Sequence, residues 1–181
     1  MDKNHRSVCD SKVTISELML PSHSNFSGKI HGGYILMLLD QIAFASASKY
    51  SGSYCVTASV DTVDFLQPIE IGELVTMKAS INYAGNSSMV IGIRVTAENI
   101  QTGKVKHCNS SYFTMVAKDS DGKNAKVPTL VLKNHDEIRR FHNALKRIAY
   151  KKEHSIHQET FDHSSKEAIE ALKGYNVKIE L

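Results

Sequence analysis

The run from Ser24 to Ser48 reads SNFSGKIHGGYILMLLDQIAFASAS, and the fold of the chain turns on how it is read. Its first part continues the loop PSHSNFSGKIHGG, rich in Ser, Gly and Asn. The rest predicts a helix from about Gly33 to Tyr50, with Gly52 as its C-terminal breaker. Apolar residues go nearly all round this helix, the pattern of a segment wrapped by other structure. One acid, Asp40, stands in the middle of the run with no basic neighbour. A carboxylate inside a wrapped helix costs several kcal/mol or must be protonated, so its presence needs a reason. It either bonds to a nearby group and fixes packing, or it does chemistry.

What would wrap the helix is legible on both sides of it. KVTISELML, ended by Pro21, is a strand candidate upstream. Downstream, YCVTASVDTVDFL places Val56, Ala58 and Val60 on one side and then changes phase to Val63 and Phe65, the mark of a bulge or bend. ELVTMKASINY alternates, with Val75, Met77, Ala79, Ile81 and Tyr83 on one face. SMVIGIRVTAEN does the same with Met89, Ile91, Ile93, Val95 and Ala97, and KVKHCNSSYFTMVAK is long with a polar middle. The turns PIEIG, YAGNS and NIQTGK separate them. These are half-buried antiparallel strands. The expected class is α+β, a long central helix cradled by a curved antiparallel sheet that a second copy completes. Residues 1–133 form that domain. Residues 134–181 read as a helical extension, with Ser164–Ser165 capping its second helix and Gly174 ending it.

Composition narrows the function. A hydrophobic share of 41% with 23% charged residues is that of a globular protein, and no run reaches the ~18 apolar residues of a membrane span. The start, MDKNHRSVCDSK, lacks an apolar signal core, and the odd, scattered Cys9, Cys55 and Cys108 read as reduced thiols, so the expected compartment is the cytoplasm. Cys55 and Cys108 are expected as small apolar fillers. Between Ile138 and Lys152 there are six Lys or Arg and no acid, a solvated helix face or a phosphate contact. Few aromatics and no recognition motif argue against nucleic acid. The histidines of the extension, His135, His142, His154, His157 and His163, lack metal-site spacing apart from one weak H-x-x-H, so no metal is expected.

The chemistry-bearing residues cluster around the helix start. The Gly32–Gly33 pair allows close approach of a backbone or ligand, and the free N–H groups of a helix N-terminus can hold a developing oxyanion. Asn25 supplies an amide able to orient a water or a carbonyl, and Asp40 a base. Together these suit hydrolysis of an activated acyl group. His31 is a base or a loop residue that caps the helix. No G-x-S-x-G is present, so a serine nucleophile is not expected.

The N-x-x-G-x-x-H-G-G to Asp spacing, F-L-x-P-I-x-x-G, Y-x-G-x-S-S-M and V-A-x-D-x-x-G-K resemble the acyl-CoA thioester hydrolases of the hot-dog superfamily over about residues 12–130. The branch is that of the cytosolic (brain-type) enzyme and its single-domain bacterial relatives. The resemblance implies a hot-dog fold and hydrolysis of acyl-CoA to fatty acid and CoA, with no cofactor because CoA is part of the substrate. It assigns catalysis to Asn25 and Asp40, one from each protomer of a homodimer with shared sites, and implies a trimer of dimers. It points to Gly85, Asn86, Ser87, Ser88 and Lys118 for substrate binding, and His31 is counted with them. Arg139, Arg140, Lys146 and Arg147 are a looser candidate for the CoA phosphates. Two other readings remain open, an enoyl-thioester hydratase and a non-catalytic acyl-CoA-binding or assembly module.

Overall fold

The computed structural model describes residues 4–160, 164–172 and 175–179. It divides into two compact units, Met1–Ala144 and Leu145–Leu181. In the first, the expected helix forms as α1, Gly32–Ser51. Five strands make one antiparallel sheet: β2 (Val13–Leu18), β3 (Tyr54–Val60), β4 (Glu73–Ala84), β5 (Ser88–Asn99) and β6 (Lys104–Lys118). Their order is β2-β4-β5-β6-β3, so β2 and β3 are the edges.

Side-chain alternation decides which face of the sheet meets α1. Val75, Met77, Ala79 and Ile81 of β4, the five apolar residues named on β5, and Phe113, Met115 and Ala117 of β6 form one buried cluster with α1. The helix contributes Ile35, Leu38, Leu39, Ile42, Ala43, Ala47 and Tyr50, the i, i+3, i+4, i+7 stripe of a helix buried along one side. Each buried Ile or Leu among them contributes roughly 1.5–3 kcal/mol.

Apolar residues go nearly all round the helix in sequence, but the cradling sheet buries only this stripe. Five strands cover one side of the helix, while Leu36, Met37, Asp40, Gln41 and Phe44 are exposed on the single chain. Two further exposed aromatics adjoin this face: Tyr54, whose ring meets Phe44 edge-on at 5.6 Å, and Phe65, beside Gly32.

Two strand readings are also revised. On β3 the register shifts between Thr57 and Ser59, earlier than the phase change at Val63, and Cys55 is the buried residue while Ala58 and Val60 are exposed. On β4 the register shifts between Ile81 and Tyr83, which breaks the alternation, and the Tyr83 ring meets Phe141 at a 45° tilt, centroids 5.3 Å apart. A bulge puts two residues opposite one, and propensity does not reveal where it falls.

A short parallel pair was not foreseen: β1 (His5–Ser7) with β7 (Thr129–Val131). It brings Arg6 to the end of α1, where the guanidinium donates to the Lys49 and Tyr50 carbonyls at 2.9 and 2.5 Å. A cation there satisfies orphan carbonyls and complements the helix dipole. Gly52, at φ 73°, closes the helix as expected. The extension starts as α2, His135–Thr160, where Asn134 Oδ1 accepts from Glu137 N and Glu137 Oε2 accepts from Lys133 N. In the second unit, Ser165 caps α3, Lys166–Glu170, by accepting from Ala168 N at 3.1 Å. Gly174, His163 and the side chains of His154 and His157 lie outside the described residues. No helix among the described residues is long and apolar enough to cross a membrane.

Candidate functional site

The loop before α1 is built around the Asn25 side chain. Its Oδ1 accepts from Ser27 N, Ser27 Oγ and Lys29 N at 3.0, 2.7 and 3.2 Å, an Asx-turn that folds the chain back on itself. Asn25 N donates to Lys29 O at 2.7 Å, and Gly28 supplies the positive φ of 76° that the reversal requires. The base of the loop is anchored by Ile30 N to Ile69 O at 2.9 Å and by the Lys29–Glu70 ion pair at 2.7 Å. The tip is free: Phe26 is fully exposed.

Tyr34 clamps this loop to the sheet. Its hydroxyl donates to Glu17 Oε1 on β2, and its ring stacks on His23 at 4.0 Å. The hydrogen bond to the Glu17 carboxylate pushes the Tyr34 phenol up from its ordinary value.

His31 is the N-cap of α1, and its Nδ1 accepts from Gly33 N at 2.9 Å. The imidazole therefore already uses the N–H of Gly33, one of the two backbone donors singled out for an oxyanion. At Gly32 a Cβ would meet Phe65 Cζ at 3.5 Å, an ordinary van der Waals contact, which places the Phe65 ring beside the helix start.

Asp40 is on the exposed face of α1 and has a partner that the sequence did not reveal. Thr57 Oγ1 on β3 donates to Asp40 Oδ1 at 2.6 Å, and the same hydroxyl lies 3.4 Å from Met115 Sδ. The acid is neither buried nor unpartnered. Asn25 and Asp40 share no hydrogen bond within the chain. Thr57 was missed because its role depends on β3 lying beside α1, and only the spacing of a threonine after the helix could have hinted at it.

The substrate-binding candidates are placed elsewhere. Gly85–Ser88 is the β4–β5 turn, with Gly85 N donating to Ser88 O and the carbonyls of Asn86 and Ser87 accepting from Val127 N and Ala117 N. Lys118 donates to Asn124 Oδ1 at 2.8 Å and pairs in register with Tyr54, at the start of β3. These residues adjoin the end of β3 remote from Phe65 and Gly32. Arg139 and Arg140 share the Asp136 carboxylate at 2.5 and 2.7 Å, which holds that acid below its usual range. Lys146 and Arg147 belong to the second unit.

Known proteins resemble this chain in sequence and fold. The model of the thioesterase superfamily matches residues 27–104. Protein VdlD of Helicobacter pylori is 45% identical over 137 residues, which is 76% of this chain and 78% of that protein. The uncharacterized acyl-CoA thioester hydrolase YkhA of Bacillus subtilis is 33% identical over 150 residues, 83% of this chain and 87% of its own. Among solved structures, an apo-hexameric acyl-CoA thioesterase has a TM-score of 0.81 at 32% identity, covering 83% of this chain and 97% of its own. The acyl-CoA hydrolase of Staphylococcus aureus, solved with butyryl coenzyme A and coenzyme A, has a TM-score of 0.79 at 30% identity, covering 93% and 98%. Variants of the staphylococcal enzyme with one aspartate, one asparagine or one threonine changed to alanine have similar structures. Because both the sequence and the helix-in-sheet fold match across most of the chain, this protein belongs to the thioesterase superfamily, with its hot-dog fold.

Proposed function

We propose that the chain hydrolyses acyl-CoA thioesters at sites shared between two copies, with Asp40 as general base and Asn25 from the other subunit. The observation that carries the reading is the exposed Asp40 carboxylate, held by Thr57 in the middle of an uncovered apolar face. An acid so placed cannot be explained by packing within its own chain, whereas a second copy laid on Leu36, Met37, Phe44 and Phe65 would exclude water around it. The loop tip at Asn25 and Phe26 projects from its own chain and is the segment able to reach across. The three alanine variants of the staphylococcal enzyme support the same residues, since they are spaced along that chain as Asn25, Asp40 and Thr57 are along this one.

In the reaction, Asp40 takes a proton from a water whose oxygen attacks the thioester carbonyl carbon. The carbonyl electrons move to oxygen, where the Gly32 end of α1 and its dipole oppose the negative charge. Collapse breaks the C–S bond, and the proton held by Asp40 passes to the departing thiolate. Thr57 keeps one carboxylate oxygen fixed, so that the other is aimed at the water. The partner subunit's Asn25 orients that water or the carbonyl. The hexameric relative supports assembly beyond the dimer.

The test is release of free thiol from acyl-CoA by the wild type and by Asp40→Asn. Turnover in the variant should fall by about two or more orders of magnitude, with the oligomer intact. Near-normal turnover would remove Asp40 from the mechanism. Absence of thiol release from the wild type across acyl chains would leave the hydratase or the binding module.

A further inference from the structure

The other face of the sheet carries a feature that this chemistry does not use. Side chains of β4, β5 and β6 that point away from α1 meet the first turns of α2 there. Lys78, Asn82, Arg94, Tyr112, Arg139 and Arg140 line a cleft of about 170 Å³. Its charge is strongly positive, because among the described residues Asp136 is the one carboxylate bonded to these cations and it is shared by Arg139 and Arg140.

Two details are hard to explain as packing. Lys78 and Arg94 stand directly opposite each other in the β4–β5 register, and neither has an ion-pair or hydrogen-bond partner among the described residues. Like charges facing each other across a strand pair repel unless an anion lies between them. The second is Asn82, which alternation on β4 puts on the same face as Lys78 and which the bulge leaves without a partner in the β4–β5 register. Its residue is only 6% exposed, yet its Oδ1 has no hydrogen-bond partner. Its Nδ2 lies over Gly92, where an added Cβ would come within 2.3 Å, so only glycine leaves room for the amide at the cleft floor. Glycine in mid-strand weakens a sheet, and here it marks a close approach.

One class of ligand answers both. A phosphate ester offers acceptors to Lys78, Arg94 and Asn82 Nδ2, and a hydroxyl on a nearby carbon offers a donor to Oδ1. We propose that this cleft binds the phosphate ester of a hydroxylated small molecule, on the sheet face opposite α1 and Asp40. Such a group comes from either of two sources: the phosphorylated ribose of CoA itself, reaching in from a neighbouring subunit's site, or a free sugar phosphate acting as an effector. Binding in the cleft does not depend on the hydrolase reading; only the choice between sources does.

The experiment is calorimetric titration of the full chain at low salt with ribose 5-phosphate and, separately, with CoA. Wild type, Lys78→Ser and Arg94→Ser are compared, and both changed side chains are exposed, so the fold should hold. At least one probe should bind, weakening about tenfold or more in each variant, since hydrogen bonds to charged groups carry that much. If ribose 5-phosphate is the probe affected, the cleft is an effector site. If only CoA is affected, it serves the substrate, and KM should rise for an acyl-CoA but not for the corresponding acyl-pantetheine. Binding of neither probe, or binding of both unchanged in the two variants, overturns the proposal. Intact cleft binding in a chain that releases no thiol would count against the hydrolase reading alone.

Discussion

Replacing Thr57 by valine separates the positioning of Asp40 from its chemistry. Valine keeps the branched β-carbon and a methyl group toward Met115, and removes only the hydroxyl that donates to Asp40 Oδ1 at 2.6 Å. A hydrogen bond to a charged group contributes about 1.5–3 kcal/mol. Both residues are exposed on the single chain and shielded only where a second copy covers them, so the low end of that range, about 1.5 kcal/mol, applies. That corresponds to about tenfold in rate, since 1.4 kcal/mol is a factor of ten. Steady-state thiol release should therefore show kcat down about tenfold with KM for acyl-CoA unchanged, because the contact orients the base rather than the substrate. The thermal midpoint should hardly move, as expected of an exposed substitution. Thr57→Ser keeps the donor and should recover most of the rate. A kcat for Thr57→Val equal to wild type, or an equal loss in Thr57→Ser, would refute the role.

Two further outcomes follow from the same geometry. Asn25→Ala and Asp40→Ala should each be inactive alone, but co-expression should restore about a quarter of wild-type activity, because half the random dimers are mixed and each mixed dimer has one intact site. No recovery on mixing would place both residues of a site in one chain. Tyr50 is buried at the end of α1, and its hydroxyl donates to Pro128 O at 3.0 Å. Burial pushes its phenol from 10.0 up to about 12. The unfolded chain therefore loses this proton first as pH rises. The stability contribution is complete below 10.0 and is lost progressively towards about 12. Thermal melts of Tyr50→Phe should be less sensitive to pH across that window than those of wild type; identical slopes would contradict the assignment.

Local patterns carried much of the fold because they are local in origin. The extent of α1 and the alternation on β5 are set by the 3.6 and 2.0 periodicities of helix and strand, and the end of α1 by the left-handed conformation at Gly52, all of which a sequence displays directly. The bulges at Thr57/Ser59 and Ile81/Tyr83 were misread because a bulge depends on what the neighbouring strand requires. The β1–β7 pair joins segments from opposite ends of the domain, and three-residue strands carry too little pattern to announce themselves.

For the site, the sequence by itself determined the residue types, namely an asparagine in a glycine-bearing turn and one acid on an apolar helix. Only the tertiary structure decided their surroundings. It turned a supposedly buried, solitary Asp40 into an exposed carboxylate held by Thr57, spent the Gly33 N–H on His31, and paired Lys78 with Arg94 over an orphaned Asn82. The physical reason is that a side chain's identity is written at one position. Its desolvation and hydrogen-bond partners come from strands and loops distant in sequence, and exist only once the sheet has curled around the helix.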